Sequence, residues 1–213
     1  MRVKVCGITS VGDAEVALDA GADAIGMIFH PGSPRRVEDR SALAISRRVR
    51  GRADCVGVLV DGTSQQLREL VDRFELSALQ LNLRSCPMGL VEEIGVPVWP
   101  FLGLRGGVAS MRIEWWAGQP VFVDTVSDDG SGGTGELPDL DIAMAVAIHR
   151  PVWLAGGLGP DNVAMAVARV RPFGVDASSR LESSPGVKDQ KLVRDFVATA
   201  RRAAAGSDNG NQP

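Results

Sequence analysis

Cysteine is scarce in this sequence, and the three that occur are dispersed. The 213 residues contain only Cys6, Cys55 and Cys86. Disulfide frameworks and zinc sites use cysteines in matched pairs or close clusters, so we expect neither here. Unpaired thiols are typical of a reducing compartment, and we therefore expect a cytoplasmic protein.

Long apolar runs and a charge excess of one sign are absent as well. The longest aliphatic stretches, such as residues 24–29, are the size of a strand and fall short of the ~20 apolar residues of a membrane span. The N-terminal residues form a strand pattern without the apolar region of a signal peptide. With 23 Lys and Arg against 26 Asp and Glu, the formal net charge of −3 argues against a broad nucleic-acid surface. We expect neither a membrane nor a nucleic acid as partner.

The sequence does contain a regular alternation of strand and helix patterns. Strand-sized apolar runs begin near Val3, Ala24, Cys55, Ala78, Val96, Val121, Val152 and Gly174. Ser64 and the segment 160–162 carry helix-start chemistry between such runs. Alternation of this kind predicts a parallel sheet, and eight evenly spaced units favour a (β/α)8 TIM barrel over an open doubly wound sheet. We predict a single barrel domain over residues 1–202, followed by a disordered tail over residues 203–213.

In such a barrel the reacting groups lie at the carboxyl ends of the strands. The chemistry-bearing residues at those positions are Cys6, Arg35, Arg36, Asp61, Asn82, Arg105, Asp124, Gly156, Gly157, Asp176, Ser178 and Ser179. Both histidines, His30 and His149, fall elsewhere, so a histidine-activated nucleophile is not indicated. We expect acid–base chemistry at this end of the barrel.

Side-chain parity places a charged pair beneath Cys6. If Val3 and Val5 face the helices, Lys4 points into the barrel below the thiol. Asp176 has the parity to meet Lys4, because the first and last strands of a closed barrel are neighbours. Cys6 is then either a small buried hydrophobe or a thiol whose pKa a nearby ammonium lowers.

Asp124 and three loops admit both functional and structural interpretations. Asp124 closes an apolar strand, where it either caps the next loop or acts as a general acid or base. Residues 130–135 spell G-x-G-x-x-G, but no acid follows at the spacing of a ribose ligand, so a mobile loop over the site is favoured over a dinucleotide fold. Gly156-Gly157 and Ser178-Ser179 follow the last two strands, where barrels bind phosphate, although they also suit ordinary turns.

Taken together, the motifs resemble those of the phosphoribosylanthranilate isomerase family. The opening Lys4-Val5-Cys6-Gly7-Ile8-Thr9 is similar to the family signature, and the resemblance runs from residue 2 to about residue 200. The segments that continue it are residues 21–26, 33–35, 124–125, 132–135, 154–158, 160–163, 175–179 and 185–189.

The resemblance implies an Amadori rearrangement of N-(5-phosphoribosyl)anthranilate, without metal or cofactor. It implies that Asp124 protonates the ribose ring oxygen and that Cys6 removes the C2 proton. Arg35 then meets the anthranilate carboxylate. The substrate-binding set that follows from it consists of Arg35, Gly156, Gly157, Asp176, Ser178, Ser179 and Arg180, with the phosphate held by the backbone of the two glycine- and serine-containing loops. Oligomeric state is left open.

Three positions depart from the family pattern. Asn82 stands where the family has a histidine, Pro100 where many members have a lysine, and Arg180 where the family has a glycine after two serines. Arg180 either turns to solvent, reaches the phosphate, or obstructs it. Two alternatives therefore stay open beside the isomerase: an enzyme for a related aminated phosphosugar, and a weak paralog that only binds a phosphosugar or a protein.

Overall fold

Eight parallel strands close into a barrel in the order of the chain. A computed structural model describes residues 1–82, 93–104, 119–125 and 137–208, and each strand pairs with its sequence neighbours around the ring. The predicted (β/α)8 barrel is confirmed, and every strand begins within two residues of its predicted start. The strands are β1 (Arg2–Val5), β2 (Ala24–Ile28), β3 (Asp54–Leu59), β4 (Ala78–Asn82), β5 (Val98–Leu104), β6 (Val121–Thr125), β7 (Val152–Leu154) and β8 (Gly174–Ala177).

Helices cover the outside of the barrel, and a small hairpin follows the last strand. The helices of the described residues are α1 (Val11–Asp19), α2 (Asp39–Val49), α3 (Ser64–Phe74), α4 (Leu140–His149), α5 (Val163–Val170) and α6 (Gln190–Asp208). After β8 the chain forms a short 3-10 helix, Ser179–Leu181, and then an antiparallel hairpin of β9 (Glu182–Ser184) and β10 (Val187–Lys188). None of the described helices is long and apolar enough to cross a membrane.

The barrel closes where β1 pairs with β8. In this pairing Lys4 lies opposite Asp176. On its other side β1 pairs with β2, where Lys4 lies opposite Ala24. The amide of Cys6 donates to the carbonyl oxygen of Ala177 at 2.9 Å, which continues the pairing to the end of the strand. The predicted closure of the first strand against the last is therefore confirmed.

Alternate residues of the strands serve two separate cores. Val3 and Val5 belong to the large layer between strands and helices, as parity predicts. The inner layer is aromatic on one side, where the Trp153 ring lies 5.5 Å from the Phe122 ring and 5.4 Å from the Trp99 ring. These rings fill the barrel below the strand ends and form the floor on which the polar site rests.

The last helix extends beyond the predicted end of the domain. The predicted boundary lies at residue 202, whereas α6 continues to Asp208. Ala203 and Ala204 pack against the core, and alanine has the highest helix propensity of all residues. Residues 203–208 are therefore helical rather than disordered, and residues 209–213 lie outside the described part of the chain.

Several sequence expectations fall on residues that the structure does not describe. The glycine-rich segment 130–135 lies in the interval 126–136. Cys86 lies in the interval 83–92. These expectations stay predictions.

Candidate active site

Cys6 lies directly after β1, at the carboxyl end of the barrel. Only 6% of the residue is exposed. Its thiol and the ammonium of Lys4 lie side by side against β2, where Gly26 leaves room for both. A Cβ on Gly26 would stand 2.8 Å from Sγ of Cys6 and 3.0 Å from Nζ of Lys4. Only a glycine at this position allows thiol and ammonium to pack against the strand.

Lys4 and Asp176 form an ion pair beneath the thiol. Nζ of Lys4 donates to Oδ1 of Asp176 at 3.1 Å, and the Lys4 side chain is completely buried. Nζ also lies 5.1 Å from the centroid of the Phe122 ring, which is a cation–π arrangement. The pair predicted from strand parity is confirmed.

The surrounding charges act on the thiol in opposite directions. Burial raises the pKa of Cys6 above its ordinary value, while the ammonium groups of Lys4 and Lys188 oppose that rise. Burial on its own would lower the pKa of Lys4, but Asp176 and Cys6 hold it above its ordinary value, so Lys4 stays charged. The thiol thus lies in a dry environment, with a permanent cation beside it.

Asp124 lies near the end of β6 at the same end of the barrel. It pairs in register with Gly103 of β5, and 8% of the residue is exposed. Parity gives it the same inward direction as Phe122, two residues earlier in the strand. The structure therefore places a carboxyl group and a thiol at one barrel mouth, on strands that are not neighbours.

Arg35 belongs to a cluster of three charged side chains above β1. Its Nε lies 3.0 Å from each carboxylate oxygen of Glu182. Nζ of Lys188 donates to Oε1 of the same carboxylate at 2.7 Å and to the Ser178 carbonyl oxygen at 3.1 Å. Among the described residues the two Nη groups of Arg35 make no hydrogen bond, so the fork of the guanidinium is available for a planar anion.

The loops that follow β7 and β8 form the part of the mouth next to β1. Gly156 and Gly157 both have positive φ, at 86° and 52°. Asn162 fixes this loop, because its Nδ2 donates to the Gly157 carbonyl oxygen and its Oδ1 accepts from the Gly159 amide, both at 2.8 Å. The hydroxyl oxygen of Ser178 is buried and has no hydrogen-bond partner among the described residues.

Arg180 forms a bridge between the two loops. One Nη of Arg180 donates to both carboxylate oxygens of Asp161, at 2.9 and 2.8 Å. Its side chain is 41% exposed. Ser179 precedes it as the first residue of the 3-10 helix. Of the three orientations considered for Arg180, the structure has the one in which the guanidinium faces solvent, where an acidic neighbour holds it.

Sequence reasoning missed three polar residues of this region. Gln80 interrupts the apolar β4 and has the same parity as the inward-facing Ala78. Its Oε1 is buried without a partner in the described chain. Glu182 and Lys188 lie on the hairpin, with the Lys188 side chain fully buried. Gln80 could have been recognised from the sequence, because it is a polar residue within an apolar strand. The pairing of residues 182–188 as a hairpin could not be predicted from residue spacing.

The other two departures from the family pattern lie on neighbouring strands. Asn82 ends β4 and pairs in register with Phe101, one residue after Pro100 of β5. Among the described residues no group of three histidine, cysteine or acidic side chains is arranged to hold a metal ion.

Comparison with known proteins gives one consistent family. The model of the family described as N-(5'-phosphoribosyl)anthranilate isomerase matches residues 3–199. A protein of that name from Geobacter sp. (strain M21) is 38% identical over 203 residues, which cover 94% of this chain and 98% of the relative.

Solved structures agree with that result. The phosphoribosyl anthranilate isomerase of Thermotoga maritima is 32% identical at a TM-score of 0.85, covering 95% of this chain and 99% of that one. Another structure of the same family, in complex with reduced 1-(o-carboxyphenylamino)-1-deoxyribulose 5-phosphate, has a TM-score of 0.82 at 30% identity, with the same coverage of both chains.

Proposed function

The chain belongs to the N-(5'-phosphoribosyl)anthranilate isomerase family, and from that membership we propose how its residues carry out the family's reaction. The enzyme is an isomerase of tryptophan biosynthesis that converts N-(5'-phosphoribosyl)anthranilate into 1-(2-carboxyphenylamino)-1-deoxyribulose 5-phosphate. This is an Amadori rearrangement, in which an aminoaldose becomes an aminoketose. One proton donor and one proton acceptor on different sides of the sugar are sufficient for it.

Asp124 is the proton donor. It gives its proton to the ribose ring oxygen, the bond from that oxygen to C1 breaks, and the nitrogen lone pair forms a C1=N bond. Its position near the end of β6, at the same mouth of the barrel as Cys6, supports this role.

Cys6 is the proton acceptor. As a thiolate it removes the proton from C2, and the electrons of that bond form C1=C2 while the C1=N electrons return to nitrogen. The enolamine then tautomerises to the ketone. The observation that carries this assignment is the position of the thiol directly over the Lys4–Asp176 pair, at the same mouth as Asp124.

The remaining residues hold the two ends of the substrate. The planar guanidinium of Arg35 suits the anthranilate carboxylate. The loops around Gly156-Gly157 and Ser178-Ser179 suit the phosphate, because Gly156 and Gly157 have positive φ and the loops follow the last two strands of the barrel. Asp176 acts from below by holding Lys4 in place, and Arg180 lies at the edge of the phosphate loops. The buried free thiols Cys6 and Cys55 support a cytoplasmic location.

Turnover measurements on two variants test the assignment. We expect Cys6→Ser and Asp124→Asn each to lose about 10²–10⁴-fold in turnover of phosphoribosylanthranilate, followed by its loss of fluorescence, while affinity for a product analogue is kept. Cys55→Ser and Asp54→Asn are the matched controls, since Cys55 faces the helices and Asp54 begins β3 at the opposite end of the barrel. Near-wild-type turnover in either test variant would refute the role of that residue.

A further inference from the structure

Lys188 is a buried ammonium that the acid–base scheme does not use. It is 4% exposed overall, and its side chain is fully covered. It lies on β10, in the hairpin that carries the chain from β8 to α6. A buried lysine is costly unless its charge has partners, so its presence beside a reaction site calls for an explanation.

The hairpin delivers this ammonium to the side of the catalytic thiol. A Cβ on Gly7, the residue after Cys6, would lie 3.5 Å from Nζ of Lys188 and 2.7 Å from Oγ of Ser178. The hairpin is fastened to the same loop, because Oγ1 of Thr9 donates to the Gly186 carbonyl oxygen at 2.6 Å. The amide of Lys188 itself lies 3.4 Å from the Asp13 carboxylate of α1.

The charges around Cys6 do not balance when the thiol is neutral. Beneath it, Lys4 and Asp176 cancel one for one. Above it, Lys188 and Arg35 share the single carboxylate of Glu182. Among the described side chains that form these two groups, three cations therefore face two carboxylates. A thiolate on Cys6 supplies the third negative charge.

Resting on the assignment of Cys6 as the base, we propose that Lys188 is a positioning residue of the reaction. Its ammonium, beside Gly7, stabilises the thiolate of Cys6 together with Lys4, and through Glu182 it orients Arg35 toward the substrate carboxylate. It acts through Cys6 and through Glu182.

The effects of the neighbouring charges on the pKa of the Cys6 thiol are consistent with this assignment. Burial raises the pKa of Cys6, the charge of Asp176 adds to the rise, and the charges of Lys4 and Lys188 oppose it. Burial also lowers the pKa of Lys188, and the Glu182 carboxylate opposes that change. Removal of the Lys188 charge should therefore leave the thiol harder to ionise, with Lys4 as its remaining cationic neighbour.

The experiment measures how readily Cys6 ionises. Alkylation of the folded protein by iodoacetamide is followed against pH, and peptide mapping separates Cys6 from the other cysteines. In Lys188→Gln and Lys188→Met we expect the midpoint for Cys6 to move upward by about one pH unit or more. The rising limb of kcat/KM should move with it. Lys188→Arg keeps the charge and should keep the wild-type midpoint.

Lys191→Met is the matched control. It removes the same charge three residues away, from a lysine that is exposed and pairs only with Asp195 on α6. Its midpoint for Cys6 should equal that of the wild type. An unchanged midpoint in both neutral Lys188 variants overturns the proposal, as does an equal shift in Lys191→Met.

Two further readouts keep the test decisive. In the wild type, Cys6 should ionise at a lower pH than Cys55, for which the described residues show burial and the charge of Asp54 but no neighbouring ammonium. The reverse order contradicts the proposal even where a variant does not fold. Full turnover by Cys6→Ser would refute the base assignment, whereas the alkylation midpoints still decide whether Lys188 acts on the thiol. The two failures are therefore distinguishable.

Discussion

A single hydrogen on Gly26 determines how closely the thiol of Cys6, the proposed base, approaches the strand beside it. A Cβ there would lie 2.8 Å from the Cys6 sulfur and 3.0 Å from the Lys4 nitrogen. Both atoms end side chains, but both are buried, and Lys4 is held by Asp176. Any added carbon must therefore displace the groups on which the chemistry depends.

We expect Gly26→Ala to reduce turnover far more than it reduces stability. Overpacking at one methyl costs about 1–3 kcal/mol, whereas displacement of a catalytic group by about 1 Å can cost ~10² in rate. Urea unfolding and the fluorescence assay measure the two effects. Gly12→Ala is the control, because Gly12 lies in α1 with only Oγ of Ser10 at 3.8 Å. Normal turnover in Gly26→Ala would show that the thiol tolerates displacement.

At the same scale, the sequence allowed prediction of contacts that follow from strand periodicity. Alternation along β1 and β8 was enough to pair Lys4 with Asp176, 172 residues apart. The Arg35–Glu182–Lys188 cluster was not predictable, because it depends on a two-strand hairpin whose register includes a bulge. Side-chain periodicity carries no information across such a turn.

Among the elements, the loops after β7 and β8, which we propose bind the phosphate, are joined by one exposed ion pair. Arg180 after β8 binds Asp161 before α5 through both carboxylate oxygens. Exposed pairs of this kind contribute about 0–1 kcal/mol. The pair also keeps the guanidinium occupied, so Arg180 neither fills the space near Ser178 nor loses contact with the loops.

We expect Arg180→Gly to leave affinity for a phosphate-bearing product analogue unchanged or to weaken it several-fold at most, because loss of the bridge loosens the loops. Calorimetry on both proteins measures the effect. Asp161→Asn is the companion variant, since it frees the guanidinium without removing it. Tighter binding by Arg180→Gly would instead show that the arginine obstructs the site.

Helix ends were less predictable than helix positions. The third helix begins where expected, but Thr63 rather than Ser64 caps it, in a reciprocal capping box with Gln66. Either residue suits the role chemically, and only the backbone conformation decides between them. The end of α6 was predicted too early for a related reason. The small residues after position 202 are common in loops, but the alanines among them also have a high helix propensity.

For the whole molecule, the buried thiol of Cys55 links stability to pH. Burial on the outer face of β3 raises its pKa to about 12 from an ordinary value of 9.0. Because the folded pKa is the higher one, the contribution of this thiol is fully present below pH 9 and is lost as the pH rises toward 12.

We therefore expect the stability advantage of the wild type over Cys55→Ala to shrink by about 1 kcal/mol between pH 7 and pH 10. The free energy of unfolding of both proteins, measured by urea under reducing conditions, tests this. Other pH-dependent groups cancel in the difference between the two proteins. A constant difference across that range would contradict it.

The closure of β1 against β8 also bears on how the chain acquires its structure. The two strands are the first and last of the barrel, so their pairing is the contact with the largest loss of chain entropy and should form late. Before it forms, Lys4 is not yet paired with the Asp176 carboxylate. The hairpin of β9 and β10 does not yet lie beside the Cys6 thiol. A growing chain can assemble β2, β3 and β4 from nearby segments, but the proposed catalytic site cannot form in part. It forms only when synthesis has passed residue 188 and β1 pairs with β8.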